Sequence, residues 1–428
     1  MNRAPPASDD ADPTTSARPS RRRHGPWIFA AAFVLAVLAA TGVVRQCSED
    51  VVEHATIGHF YEVPKRLRSR PPGTLVRSER LLGAPDGSVA WRVLYHSRDL
   101  QDRDIVVSGL IVAPDGPAPR GGRPIVSWAH PTTGAAQRCA PSAGLDPFAL
   151  VAGLHELVHA GYVVAATDYS GMGAAGPPSY LIGTTEGRNV LDAARAARHL
   201  LGAGTSHDLL LWGHSQGGQA ALFAGQQASR YAPGMHLRGV AVAAPAAELG
   251  RLLADHRDDA SGVTIGSYAF DAIRKVYGPS DPRVRLDQLL TPVGTSVVPQ
   301  IAPRCLLTDT AALHRIARPA VGHFYAVDPS TTEPWATILE QNTPGGEPIS
   351  VPLLVTQGEA DRLVLPATTA EFVTRLCRAG EHVTFHRYAH IDHGLVGERT
   401  VPLLIDWLAD LHAGTPTAST CSKTEASQ

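Results

Sequence analysis

The sequence predicts an α/β fold: a mostly parallel sheet flanked by helices, with an inserted, mainly helical cap. Three observations carry that expectation. The run Leu209-Leu210-Leu211-Trp212-Gly213-His214-Ser215-Gln216-Gly217-Gly218-Gln219-Ala220 reads as a buried strand, a tight Gly-x-Ser-x-Gly turn and the start of a helix in immediate succession. From Pro124 onward, short apolar runs alternate with helical stretches, the rhythm of a parallel sheet. Between Ala244 and Val351 lie about a hundred residues that no strand–helix connection requires, so residues 245–350 read as an insertion over the sheet.

In chain order, strands are expected at residues 90–96, 105–112, 124–129, 162–167, 209–212, 239–243, 353–356 and 383–388. No helix fits between the first two, and Ala113-Pro114-Asp115-Gly116-Pro117 is a turn, which together suggest an antiparallel hairpin feeding the parallel part. A helix is expected directly after Asp146-Pro147, with an N-cap, a proline at the first helical position and a stop at Gly161. In the insertion, helices are expected near residues 247–256, 267–277 and 310–316. Its aromatics Tyr268, Phe270, Phe324, Tyr325 and Trp335 suit an apolar pocket lining and a small core of the cap equally well. Asp168 ends its strand in a glycine-rich turn and reads as structural support for the site's rim.

The turn at Ser215 is the expected seat of a nucleophile. Glycines two residues before and after it leave room where a Cβ would collide, and the helix amides that follow, starting with Gln216, point at the space where an oxyanion would form. A serine needs a base and a group to orient the base, here in the order serine, acid, histidine. Asp361, in the loop after the strand at 353–356, is the expected acid; Glu359 is the nearer alternative but has little chain to reach across. Among His382, His386, His390 and His393, the expected base is His393, in a loop before an amphipathic helix, with His390 second. Histidines 382, 386 and 390 recur every fourth residue as a zinc face on a helix would. Val383, Thr384, Phe385 and Tyr388 favour a strand instead, so no metal is expected.

From about Arg77 to His412 the chain resembles the secretory lipases of the α/β-hydrolase superfamily, in their bacterial branch, related to the fungal lipase A type. The resemblance rests on Tyr95-His96-Ser97-Arg98-Asp99, Ala129-His130-Pro131-Thr132-Thr133-Gly134, Cys139-Ala140-Pro141-Ser142, Asp168-Tyr169-Ser170-Gly171-Met172-Gly173, the turn at Ser215, Gly358-Glu359-Ala360-Asp361 and His393-Gly394. It implies an α/β-hydrolase fold and ester hydrolysis through an acyl-enzyme, with Ser215, Asp361 and His393 as the triad, no cofactor, and a small-molecule or lipid ester as substrate. One departure bears on the oxyanion loop, which in many hydrolases reads His-Gly. Here Pro131 follows His130 and has no N–H to give, which leaves the amides of Thr132 and Thr133 as candidates for the donor that joins Gln216. Two other readings are an acyltransferase or thioesterase with the same triad, and a catalytically silent hydrolase fold acting as a membrane-tethered binding module.

The flanks speak to location. Residues 1–24 are rich in Pro, Ser, Asp and Arg and are expected to be disordered; Arg18, Arg21, Arg22 and Arg23 then precede an uncharged run of 20 residues from Gly25 to Val44. Such a run can span a bilayer with the N-terminus inside, or serve as a cleaved signal peptide, with Ser20-Arg21-Arg22 hinting at the twin-arginine type and Ala39 or Ala40 beside the cut. Either way the catalytic part, residues 77–413, is exported, with residues 45–76 as a linker and 414–428 as a polar tail. The five cysteines, Cys47, Cys139, Cys305, Cys377 and Cys421, are few and far apart, as in staples of an exported domain. Cys139 behind the oxyanion loop and Cys305 in the insertion would pin the insertion beside the site, a pairing the resemblance also suggests. Cys377 would then hold the tail through Cys421 and leave Cys47 unpaired, although four cysteines allow three connectivities. With 38 basic against 40 acidic residues the net charge is −2, which offers no electrostatic footprint for nucleic acid.

Overall fold

The computed structural model describes residues 58–421. The run from Gly25 to Val44 and Cys47 lie outside the described residues; among those described, no helix is long and apolar enough to cross a membrane. The compact unit begins at Phe60.

Among the described residues nine strands form one sheet in the order β1-β2-β3-β5-β4-β6-β7-β8-β9. They are β1 (Leu75–Leu81), β2 (Ser88–Arg98), β3 (Asp104–Pro114), β4 (Arg123–Ala129), β5 (Val163–Thr167), β6 (Thr205–His214), β7 (His236–Ala243), β8 (Leu353–Gly358) and β9 (Val383–Tyr388). The β2–β3 hairpin is antiparallel, β3 joins β5 antiparallel, and from β5 to β9 every pairing is parallel. β1 is an edge strand absent from the sequence expectation. Its sequence Leu-Val-Arg-Ser-Glu-Arg-Leu has charges on a half-exposed face and carries little hydrophobic signal of its own.

The eleven helices used below are α1 (Leu154–His159), α2 (Gly183–His199), α3 (Gln216–Tyr231), α4 (Leu249–Asp255), α5 (Ala260–Tyr277), α6 (Leu286–Leu289), α7 (Pro292–Ile301), α8 (Thr310–Ala317), α9 (Trp335–Gln341), α10 (Pro366–Arg378) and α11 (Val396–Ala413). Side chains alternate across the sheet as a pleated strand requires. Leu209 and Leu211 of β6 pack with residues of α2, α3 and α10 on one face, while Leu210 and Trp212 pack with α1, α11 and the insertion on the other. Because β5 lies to one side of β4 and β6 to the other, the chain reverses direction of growth at β4, and the crevice at the carboxyl ends of β4 and β6 is where such sheets hold their ligands.

The helix expected from Pro147 begins only at Leu154. Asp146 accepts from the Phe148 amide (3.0 Å) in a local turn, and Gly153 sits at φ 75 with its hydrogens so close to α11 that a Cβ would lie 2.8 Å from Val401 Cγ2. Contact with α11 therefore sets the helix start, overriding the Asp-Pro signal.

Helices α4 to α9 build the cap. Thr291 caps α7 ahead of Pro292, and Asp259 caps α5, each accepting from the amide three residues on. Phe270, Phe324 and Trp335 are fully buried, with Phe270 edge-on to Trp335 at 5.4 Å and to Tyr325 at 5.9 Å, so these aromatics form the cap's own core. Tyr268 points the other way, edge-on to Tyr180 of the sheet domain at 5.5 Å.

Two disulfides close the fold, Cys139–Cys305 and Cys377–Cys421. The first fastens the cap to the loop after β4, beside a backbone bond from Leu306 to Thr133 (2.8 Å) and an ion pair between Arg138 and Asp309. The second draws the tail along the free edge of β9, where Thr420 donates to Val383 O (2.8 Å) and accepts from the Phe385 amide (3.0 Å). Polar residues after Gly414 thus cover a strand edge that would otherwise be bare. Since Cys139 and Cys305 are 166 residues apart, replacing both by serine is expected to lower stability by about 2–5 kcal/mol, read as a drop in the denaturant midpoint with a steeper slope, because the unfolded chain without the crosslink is more expanded.

Candidate active site

Ser215 sits between the end of β6 and the first turn of α3 with φ 58 and ψ −119, a conformation that costs a side-chain-bearing residue of order 1–3 kcal/mol. The surroundings enforce it: the Ser215 amide donates to Ala243 O (3.0 Å) and its carbonyl accepts from the Ala246 amide (3.0 Å), both on the chain leaving β7. Glycine is required on both sides. A Cβ on Gly217 would lie 1.9 Å from Ala129 O, and one on Gly213 would lie 2.1 Å from Gly217 O.

The expected partners converge on this serine. His393 Nε2 is 2.9 Å from Ser215 Oγ, and His393 Nδ1 is 2.8 Å from Asp361 Oδ2. Asp361 is buried and its carboxylate is held from three further sides: Oδ1 accepts from the Leu363 and Val364 amides (2.8 and 2.9 Å), and Oδ2 accepts from Gln357 Nε2 (3.1 Å). Burial alone would push this carboxyl up, but the hydrogen bond and charge of His393 together with the two amides outweigh it and hold Asp361 below the usual carboxylate value. Glu359 turns outward toward Arg387 (3.7 Å), and His390 is exposed at φ 61. His382 reaches the tail at Thr417 and His386 lies edge-on to Tyr388, so these histidines do not converge; among the described residues no cluster of ligating side chains is suited to a metal ion.

His214, the residue before the serine, lies under the His393 ring at 4.9 Å between centroids and donates to the His393 backbone. Burial, reinforced by the charge of His393, pushes its imidazole down to about 3, so it is neutral.

In front of Ser215 is a cavity of about 10 Å³ walled by Thr132, Tyr180, Leu181, Gln216, Leu252 and Ile265, among others. Of the two threonines only Thr132 faces it, with its hydroxyl 2.9 Å from that of Tyr180. Thr133 is turned away and tied down, its hydroxyl donating to Cys139 O (2.9 Å) and its carbonyl accepting from the Leu306 amide (2.8 Å). The loop is also anchored at His130, whose carbonyl accepts from the Tyr169 hydroxyl (3.0 Å). Asp168 accepts from the amide and hydroxyl of Ser142 and from the Ser108 hydroxyl, which makes it a buried tie beneath this loop.

A secretory lipase family model matches residues 149–420, well over half of the chain. The chain belongs to the secretory lipase family. Among its relatives are a probable inactive lipase of Mycobacterium tuberculosis, 24% identical over 386 residues (83% of this chain, 82% of the relative), and Lipase A of Moesziomyces aphidis, 24% identical over 393 residues (85% and 81%). Candida antarctica lipase A in its closed state has a similar fold, with a TM-score of 0.69 at 18% identity over 84% of this chain and 87% of that one. So does the rice cell wall degrading esterase LipA of Xanthomonas oryzae, with a TM-score of 0.66 at 21% identity over 80% and 99%. The family architecture is therefore the α/β-hydrolase one, and Ser215, Asp361 and His393 lie beyond the carboxyl ends of its strands β6, β8 and β9.

Two contributors had no sequence signal. Gln357 is an unremarkable strand residue until Asp361 folds back onto it, and Glu186 stands a few residues into α2, far along the chain from Gln216, to which it bonds (2.7 Å).

The neutral His214 has a measurable consequence. Between about pH 6.5 and about 3 the unfolded chain binds a proton that the folded one refuses, so stability falls as pH falls through that window. His130, pushed down by burial, adds in the same direction; Asp361, with a lowered value, withdraws its contribution only once pH falls below 3.8. Substituting His214→Asn is expected to flatten the stability profile between pH 6.5 and 4, by up to about 1.4 kcal/mol per pH unit, as read from chemical denaturation at each pH.

Proposed function

We propose that this protein is an exported serine ester hydrolase that works through an acyl-enzyme. The observation that carries the proposal is the unbroken hydrogen-bonded series Ser215–His393–Asp361, with a strained serine at one end and a buried, fully bonded carboxylate at the other. Ser215 Oγ attacks the ester carbonyl carbon as His393 Nε2 takes its proton, and Asp361 keeps the imidazole in the required tautomer and stabilises the imidazolium. The amides of Gln216 and Thr132 receive the oxyanion: Gln216 opens α3, and Thr132 is the threonine that faces the cavity, whereas Pro131 has no N–H. Collapse of the tetrahedral intermediate expels the alcohol with the proton held on His393. Water, activated by the same imidazole, then attacks the acyl carbonyl and frees the acid and Ser215.

The cavity has room for about one water, so a bound acyl group displaces Leu252 and Ile265 of the cap. Its apolar walls suit the alkyl part of a small-molecule or lipid ester. One relative is named an inactive lipase, which makes direct measurement decisive. A fluorophosphonate probe is expected to label Ser215, and Ser215→Ala to abolish labelling and hydrolysis of p-nitrophenyl esters. His393→Ala is expected to cost at least about 10³-fold in kcat, while His390→Ala and Glu359→Gln leave turnover near the parent level. Undiminished turnover in Ser215→Ala sinks the proposal.

Export is supported by the secretory family and the two disulfides, which persist in oxidising compartments. The hydrolase is expected outside the cytoplasmic membrane of the producing cell, tethered or released, when membrane, culture and cytosolic fractions are assayed separately. Activity confined to the cytosol contradicts it.

A further inference from the structure

Glu186 lies on α2 directly behind the nucleophile turn and is completely buried. Its Oε1 accepts from Gln216 Nε2 at 2.7 Å, so a carboxyl group is bonded to the side chain of the residue that follows Ser215. The other halves of both groups, Glu186 Oε2 and Gln216 Oε1, are sealed from solvent and have no other partner. Two bare acceptors in a buried pair are costly, about 1–3 kcal/mol each, and one change removes both defects. A carboxylic acid has an O–H to give, and a carboxamide oxygen is the acceptor that lacks a donor. A neutral acid would let the pair close through two hydrogen bonds, the observed amide N–H to acid carbonyl and a second from acid O–H to amide carbonyl.

We infer that Glu186 is a positioning residue of this hydrolase: as a neutral acid it pairs face to face with the Gln216 carboxamide and so fixes the residue whose backbone N–H meets the oxyanion. The role rests on the ester-hydrolase reading above and concerns the same site. Burial pushes the Glu186 carboxyl well up, against the pull of hydrogen bonds from Gln216 and the Leu181 amide, which is the direction a neutral acid needs. The titratable groups that face it are Tyr169 and Tyr180, both driven up by burial and so uncharged; among the described residues no cation stands beside it to favour a carboxylate. Leu181 and Gln216 both wall the cavity in front of Ser215, so the carboxyl grips two sides of the site at once. Their hold is reinforced by Gln219, whose side chain donates to Leu181 O (3.2 Å).

The pairing makes an unusual demand on substitutions. In Glu186→Gln the new amide can still accept from Gln216 Nε2 and donate to Gln216 Oε1, so both bonds survive without any carboxyl. In Glu186→Leu neither survives, although volume and burial are kept. With p-nitrophenyl acetate as substrate, Glu186→Leu is expected to lower kcat by about 10- to 100-fold with KM within about 2-fold of the parent, the signature of a lost transition-state contact. Glu186→Gln is expected to restore kcat to within about 3-fold and to follow the parent's kcat–pH profile up to pH 9. Gln216→Met, which keeps the backbone amide and breaks the pair from the other side, supplies the same test if Glu186→Leu does not fold, and should show the same loss in kcat. Full kcat in Glu186→Leu or Gln216→Met overturns the inference, as does a loss in Glu186→Gln as large as in Glu186→Leu, which would mean that a negative charge is what matters. If the parent itself neither hydrolyses the ester nor takes the fluorophosphonate, the ester-hydrolase reading fails first and this role goes with it.

Discussion

The distance between α3 and the sheet is the constraint from which the rest of the site follows. A helix that begins immediately at the end of a central parallel strand must pass against the neighbouring strand β4, and the closest approach is at Gly217, where even a methyl group would overlap Ala129 O. That approach bends the chain so sharply at Ser215 that its backbone takes positive φ, lifting the hydroxyl clear of the sheet and leaving the first amides of α3 unpaired and facing the same space. Strain at one residue thereby fixes the geometry that the proposed nucleophile and oxyanion donor need. The apolar strands on either side supply the burial that sustains it, with Trp128 and Trp212 packed together on one face and Leu209 and Leu211 on the other.

On the acid side of this point the polar groups are closely bonded, in keeping with the high cost of orphaned groups away from water. Asp361 spends its lone pairs on His393, two amides and Gln357. Its loop is in turn tied to the cap, because the His256 ring lies between Asp259 at 2.6 Å and the Leu363 carbonyl at 2.7 Å, and Leu363 is the residue whose amide bonds Asp361. The loop after β4 is anchored from the opposite side by the Cys139–Cys305 disulfide and the Leu306–Thr133 bond, again to the cap. The insertion therefore covers the site and also braces both of the loops that compose it, while its interior is filled by its own aromatics.

Much of this was legible in the chain because it depends on local pattern. The strand from Leu209, the glycines at 213 and 217 and the small residues of α3 identify the turn, since only such residues tolerate the contact they make. The short apolar runs spaced by helical stretches and the surplus of residues after Ala244 give the sheet and the insertion for the same reason: hydrophobic pattern and chain length are properties of the sequence alone. The convergence of Asp361 and His393 on Ser215 was readable too, because each lies beyond the carboxyl end of its own strand. Asp361 was separable from Glu359 by reach, and His393 from His390 by its place before an amphipathic helix.

What local pattern could not supply was decided by contacts between distant segments. Asp146-Pro147 is a sound helix start, yet α1 begins at Leu154 because α11 presses on Gly153. Thr132 and Thr133 are indistinguishable along the chain, and only the tether of Thr133 to Cys139 and Leu306 turns Thr132 toward the cavity. The cap aromatics could line a pocket or a core until their packing partners were known. Glu186 and Gln216, 30 residues apart, acquire a shared role only when α2 and α3 lie side by side. In each case the deciding term is an approach between backbones or a bond between buried polar groups far apart in sequence, and the energy of such a contact is set by the folded geometry, whereas hydrophobic periodicity and turn chemistry act within a few neighbouring residues.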